Sequence, residues 1–146
     1  MQARSMLFVF SSLVLLEGCG KEVGRVPFSG AGTGVATVTL KPGDVDFWTD
    51  ISIEYDSDTS LAYQIDVQQG GASVGTATCN PLGPINVKST WIETNLGSKH
   101  TRSGNGKMAC SVKVDKGGST TVKVSLAFAK KPASGGIKKA DLVIKQ

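Results

Sequence analysis

The residues best suited to chemistry in this 146-residue chain are a run of carboxylates, one histidine, two tryptophans and three cysteines. Between 41 and 67 the acids Asp44, Asp46, Asp50, Glu54, Asp56, Asp58 and Asp66 are accompanied by one base, Lys41. Within them, Asp56-Ser57-Asp58-Thr59-Ser60 places oxygen ligands at alternate positions, as a calcium loop does. The pattern stops there, because Leu61 stands where an EF-hand needs glycine and Val67 where it needs a bidentate glutamate. Calcium would instead need Asp44, Asp46, Asp56 and Asp58 to converge from loops at one end of the domain. Glycoside hydrolysis would draw two carboxylates from the same segment, and would need a cleft that so small a domain has little room to build. His100 is the one candidate base; with no GxSxG motif beside it, it reads as a surface residue. Trp48 and Trp91 read first as core. Exposed beside Tyr55 or Tyr63, either would stack on a sugar ring, and with His100 and Arg102 they form the candidate ligand contacts.

The elements that must position these groups are strands. Glycine is abundant (18 residues), Thr, Ser and Val recur, and no helical periodicity is sustained beyond the first twenty positions. Alternating segments are expected at 35–40, 45–55, 61–67, 73–79, 85–94, 108–114, 120–128 and 137–144, separated by turn chemistry such as Pro42-Gly43, Gly70-Gly71 and Gly117-Gly118. Ile51, Ile53 and Tyr55 share one face, Leu61, Tyr63, Ile65 and Val67 another, and the polar run between them predicts a hairpin. The stretch 97–107 reads as a polar loop, and the glycine-rich stretch 19–34 as a tether with an average reach of about 20 Å, part of which, 26–28, could dock as an edge strand. Seven to nine strands at this spacing predict an all-β fold, an antiparallel two-sheet β-sandwich of immunoglobulin-like or jelly-roll topology, in one domain over 35–146.

The N-terminus gives an address. Arg4 precedes an apolar run from 6 to 16, too short to span a bilayer, and Leu16-Glu17-Gly18-Cys19 follows. This segment resembles a bacterial lipoprotein signal peptide: Leu16, Gly18 and Cys19 match its four-residue box, while Glu17 stands where the box has a small uncharged residue. The resemblance implies removal of 1–18, diacylglyceryl transfer to the Cys19 sulfur, and stable anchoring by more than one acyl chain. Gly20, not Asp, follows the cysteine, which points to the outer membrane. With Cys19 lipidated, Cys79 and Cys110 are left in an oxidising compartment as a natural disulfide pair. That bridge would close a loop of about 32 residues, worth ~3 to 4 kcal/mol in the chain-entropy account. Two cysteines and one histidine fall short of a four-ligand metal site, and no CxxC suggests redox chemistry.

Charge is uneven along the chain, whose net charge is +4. From 88 onward Lys and Arg far outnumber Glu93, Asp115 and Asp141, but Lys113, Lys116, Lys123, Lys139 and Lys145 fall where alternation puts solvated strand faces. Nucleic acid is not an expected partner, since no aromatic stacking strand accompanies the basic residues. The sequence therefore predicts a noncatalytic binding or structural module of the cell envelope. Its expected partners are membrane lipid through Cys19 and an envelope protein or glycan, with no cofactor. The alternative is a small calcium-dependent or hydrolytic enzyme using 44–66.

Overall fold

Strands form wherever β-branched and aromatic residues alternate with polar ones. They are β1 (Glu22–Val26), β2 (Gly32–Leu40), β3 (Gly43–Asp56), β4 (Ser60–Gln69), β5 (Ala72–Cys79), β6 (Ile85–Leu96), β7 (Lys99–Val114), β8 (Gly118–Lys130) and β9 (Gly136–Lys145). The structure, a computed structural model, describes residues 20–146, so Cys19 and the segment expected to be a signal peptide lie outside the described residues.

Two antiparallel sheets result, one of five strands in the order β1-β9-β3-β7-β6 and one of four in the order β2-β8-β4-β5. The pairs β1·β9, β2·β8, β3·β7 and β4·β5 nest like the rungs of one long hairpin, with alternate rungs in opposite sheets, and β6 adds to β7. That winding is a jelly roll, one of the two topologies the sequence left open. The core fills the space between the sheets: Val45, Phe47, Ile51 and Ile53 of β3 face Leu61, Tyr63, Ile65 and Val67 of β4, with Val122, Val124 and Leu126 of β8 beside them.

Three expectations are corrected. The segments at 45–55 and 61–67 do not form a hairpin, because β3 and β4 lie in opposite sheets and residues 57–59 arch between them. Their apolar faces meet across the core instead of lying side by side, an arrangement that alternation alone does not distinguish from a hairpin. The expected tether at 19–34 contains β1 and the start of β2. Lys21 exchanges two backbone hydrogen bonds with Gln146, at 3.1 and 3.0 Å. Glycine there serves close approach: a Cβ on Gly24 would sit 2.3 Å from Val38 Cγ1, and one on Gly34 2.4 Å from Val26 Cγ1, so β1 packs onto β2 only because both are glycine. Finally, 97–107 is no loop beyond Gly97-Ser98, since β7 begins at Lys99. Its polar residues are paired in register between β3 and β6.

Candidate functional site

Three of the four candidate contact residues gather on the β6–β7 hairpin. Trp91 lies against Gly106, where a Cβ would come within 2.9 Å of the indole. Its Nε1 donates to Glu93 Oε1 at 2.6 Å. Arg102, opposite Glu93 in the register, holds its guanidinium carbon 5.7 Å from the Trp91 ring centroid and its Nε 3.5 Å from Glu93. Its Nη1 donates to the carbonyls of Pro81 and Gly83 at 3.0 and 2.8 Å, which fixes the loop between β5 and β6. The indole donation, helped by the Arg102 and Lys88 charges, outweighs burial and holds the Glu93 carboxyl below its usual range.

His100 stands two residues along β7. Its Nδ1 lies 2.5 Å from Asn95 Oδ1, its Nε2 shares a hydrogen bond of 2.8 Å with the Ser57 hydroxyl, and the Tyr55 ring lies 5.4 Å away. Trp48 is separate, on the outward side of β3 between Lys107 of β7 and Val143 of β9. It is nonetheless only 2% exposed, with the Lys145 ammonium 3.8 Å from its ring centroid. Trp91, His100 and Arg102 thus spend their polar atoms on the fold itself, and Trp48 is capped.

The four calcium candidates do not converge. Asp44 and Asp46 begin β3 and Asp56 ends it, about 40 and 33 Å away respectively at the rise of an extended strand. Asp46 pairs with Lys107 at 3.5 Å, Asp58 with Lys130 at 3.6 Å, and Asp56 accepts from the Ala133 amide. Among the described residues no group of three or more His, Cys, Asp or Glu side chains is placed to hold a metal.

The carboxylates that do cluster serve a lock across β1, β9 and β3. Arg25 reaches Glu22 at 2.9 Å, Asp50 at 2.7 Å and Asp141 at 3.0 Å, and Lys139 reaches Asp50 at 2.9 Å. Asp141 also accepts the Phe28 amide at 3.3 Å. Burial alone would raise the Asp50 carboxyl, but hydrogen bonds from Lys139 and Arg25 overcome it and hold the group below its ordinary value. The hydrogen bond to Asp50 pushes the Lys139 ammonium up, and those to Glu22 and Asp50 push the Arg25 guanidinium up.

A surface the sequence did not single out is the outer face of the four-stranded sheet. Because Val38, Val124 and Ile65 point into the core, their neighbours point out and line up across the strands. Thr33, Ser125, Gln64 and Thr78 make one row; Val35, Lys123, Asp66 and Thr76 the next; Thr37, Thr121, Gln68 and Ser73 a third. Rows repeat roughly every 7 Å along the strands and columns about every 4.8 Å across them. Thr78 donates to Gln64 at 2.8 Å, and Ser73 and Gln68 donate to Asp66 at 2.6 and 2.7 Å. Those two donors hold the Asp66 carboxyl below its usual range. A shallow groove of about 300 Å³ opens among Thr33, Val35, Gln64, Asp66, Lys123 and Ser125. The period-two Thr at 33, 37 and 39 was the available signal, but alternation does not say that four strands align their hydroxyls in one plane.

Cys79 and Cys110 form a disulfide, with Cα atoms 5.6 Å apart, tying β5 of one sheet to β7 of the other. No helix among the described residues is long and apolar enough to cross a membrane, which says nothing of strands. Compared with known protein families and with curated proteins, the chain matches none of either.

Proposed function

We propose that the chain is an exported, lipid-anchored, noncatalytic module of the bacterial envelope that binds a neutral glycan on the outer face of its four-stranded sheet. The observation that carries the reading is the three-row grid of hydroxyl and amide groups, with a shallow groove of largely apolar wall between its first two rows, against which the apolar face of a sugar ring can lie. Short Thr and Ser side chains lose little rotamer freedom on binding, and a flat array of paired donors and acceptors suits a polyhydroxylated chain. Its one charged pair in register, Lys123 and Asp66, leaves the face without net charge.

Two observations support the address. The disulfide uses two of the three cysteines, fits an oxidising compartment, and leaves Cys19 beside the apolar run. Gly20 and Lys21 already pack against Gln146, so an acylated Cys19 would hold the domain directly against lipid headgroups with no intervening linker. Outer-membrane placement rests on the signal-peptide resemblance.

The test has two arms. In cells, the wild-type chain is expected in the membrane fraction carrying labelled fatty acid, and Cys19→Ala is expected to lose the label; an unlabelled wild-type chain would end the lipoprotein reading. For binding, the purified protein is titrated calorimetrically with neutral envelope polysaccharide. Thr121→Lys and Gln64→Ala are expected to abolish the heat while leaving the melting temperature within a degree or two. Equal heats from all three proteins would remove this face as the site.

A further inference from the structure

A sheet edge offers unpaired N–H and C=O groups to any passing strand, and proteins normally blunt it with charge, proline, bulges or brevity. Both edges of the five-stranded sheet are blunted in this way. Strand β1 has five residues, two of them Glu22 and Arg25, and a register break after Glu22. Strand β6 carries Lys88 and Glu93, two register breaks, and Thr90 at a φ of 53°. Strand β2, an edge of the four-stranded sheet, has none of these devices. It pairs with β8 over nine consecutive residues without a break, and its sequence Gly-Thr-Gly-Val-Ala-Thr-Val-Thr-Leu contains no charge and no proline. Among the described residues it makes no sheet pairing on its other side. Val35, at the middle of that strand, is 61% exposed.

We infer that the occupant of this edge is β2 of a second copy of the chain, joined antiparallel about a two-fold axis through Ala36. The strand is complementary to itself in that register. On the outward face, Val35 meets Thr37 and Thr33 meets Thr39, so β-branched residues oppose β-branched residues, the pairing that favours adjacent strands. On the inward face, Gly34 meets Val38, Gly32 meets Leu40 and Ala36 meets itself, so small opposes large and no side chain of volume meets its equal. No charge opposes a like charge, and the interface is isologous and closed. The product is a continuous eight-stranded sheet whose two polar faces merge into one. The axis is perpendicular to the sheet, so both copies keep Gly20 on the side of their five-stranded sheets. On the reading of Cys19 as a lipid anchor, both anchors then enter one membrane with the polar face turned away from it.

The test is the oligomeric state of the mature protein purified in detergent, followed by sedimentation equilibrium with Val35→Lys and Val74→Lys. Val74, on the opposite edge strand β5, is 40% exposed and serves as the control. A dimer whose dissociation constant rises at least tenfold in Val35→Lys and stays unchanged in Val74→Lys is the expected result, with unaltered melting of both variants at low concentration. As a second readout, Ala36→Cys places identical thiols across the axis, within the Cα separation an antiparallel pair and a disulfide share, and mild oxidation should give a covalent dimer. A monomer at all concentrations, or a dimer indifferent to Val35→Lys and without the Ala36→Cys cross-link, overturns the inference. Either result is independent of the glycan titration, which a monomeric face could still pass.

Discussion

On the outer face of the five-stranded sheet, Arg25, Asp50, Asp141 and Lys139 bind one another across three strands, and Lys145 caps Trp48. On the outer face of the four-stranded sheet, hydroxyls and amides stand in rows with a single opposite-charge pair in register among them. The first face uses its chemistry to hold β1, β9 and β3 together. The second pairs Thr78 with Gln64, and Ser73 and Gln68 with Asp66, by hydrogen bonds that stay within the face, and the edges differ too, bulged or charged in one sheet and bare along β2 in the other. A group already committed to holding strands together has little left for a ligand, so the residues richest in chemistry by type, such as Arg25, Asp50 and Asp141, serve the fold here.

The largest effect is expected from separating the sheets. Replacing both Cys79 and Cys110 with alanine should cost ~3 to 4 kcal/mol, by removing the constraint on a loop of about 32 residues in the unfolded chain. Urea unfolding with and without reductant measures it, and an unchanged midpoint would mean that the bridge contributes nothing. Next is Tyr63, whose hydroxyl crosses from β4 to donate to the Ala140 carbonyl at 2.9 Å and meets the Thr49 hydroxyl at 2.9 Å. Tyr63→Phe leaves both partners buried and unpaired, at about 1 to 3 kcal/mol. A smaller loss would show that water reaches them.

The charged face should carry a pH dependence on both the acid and the alkaline side, whereas the polar face has an acid-side contribution alone, from Asp66. Asp50 has a folded-state carboxyl held below its unfolded value, so its contribution is present above about pH 4 and is lost as pH falls through the lower, folded value. Lys139 runs the other way: its ammonium is pushed up, so its share is present below the unfolded value near 10.4 and is lost as pH rises through the folded one. Asp50→Asn is expected to cost about 1 to 3 kcal/mol at pH 7 and to flatten the stability profile below about pH 4. Denaturant midpoints across that range decide it, and a variant profile parallel to wild type would assign the acid sensitivity elsewhere.

Much of the fold was legible because burial imposes a period of two. Ile51, Ile53, Leu61, Tyr63, Ile65 and Val67 are core residues, and strands fall at the positions where they alternate. What alternation does not carry is which strand lies beside which. A polar run such as 57–59 serves a hairpin or an arch equally well, so the partner of β3 was misread. Glycine misled in a second way: Gly24, Gly34, Gly104 and Gly106 suggested a tether and a loop, yet each sits where a Cβ would collide with a neighbouring strand. Clustered Gly signals flexible chain only where nothing packs against it. The candidate contacts were legible as residue types, but the internal partners of Trp91, Arg102 and His100 depend on the β6–β7 register, which no local pattern encodes.

The finest contrast between the faces needs only two lysines. Lys145 stands 3.8 Å over the Trp48 ring on a largely covered site, where a cation–π contact is worth about 0.5 to 2 kcal/mol. Lys123, exposed in the middle row of the polar face, touches no ring and stands opposite Asp66. Lys145→Gln should therefore cost up to about 1 kcal/mol and shift the tryptophan emission to the red as the ring opens to water, whereas Lys123→Gln should fall within about 0.5 kcal/mol of wild type with unchanged emission. Equal losses from the two substitutions would mean that the outer faces do not differ in how they spend their charge, and the assignment of the five-stranded sheet to structure and the four-stranded sheet to presentation would fail at its smallest term.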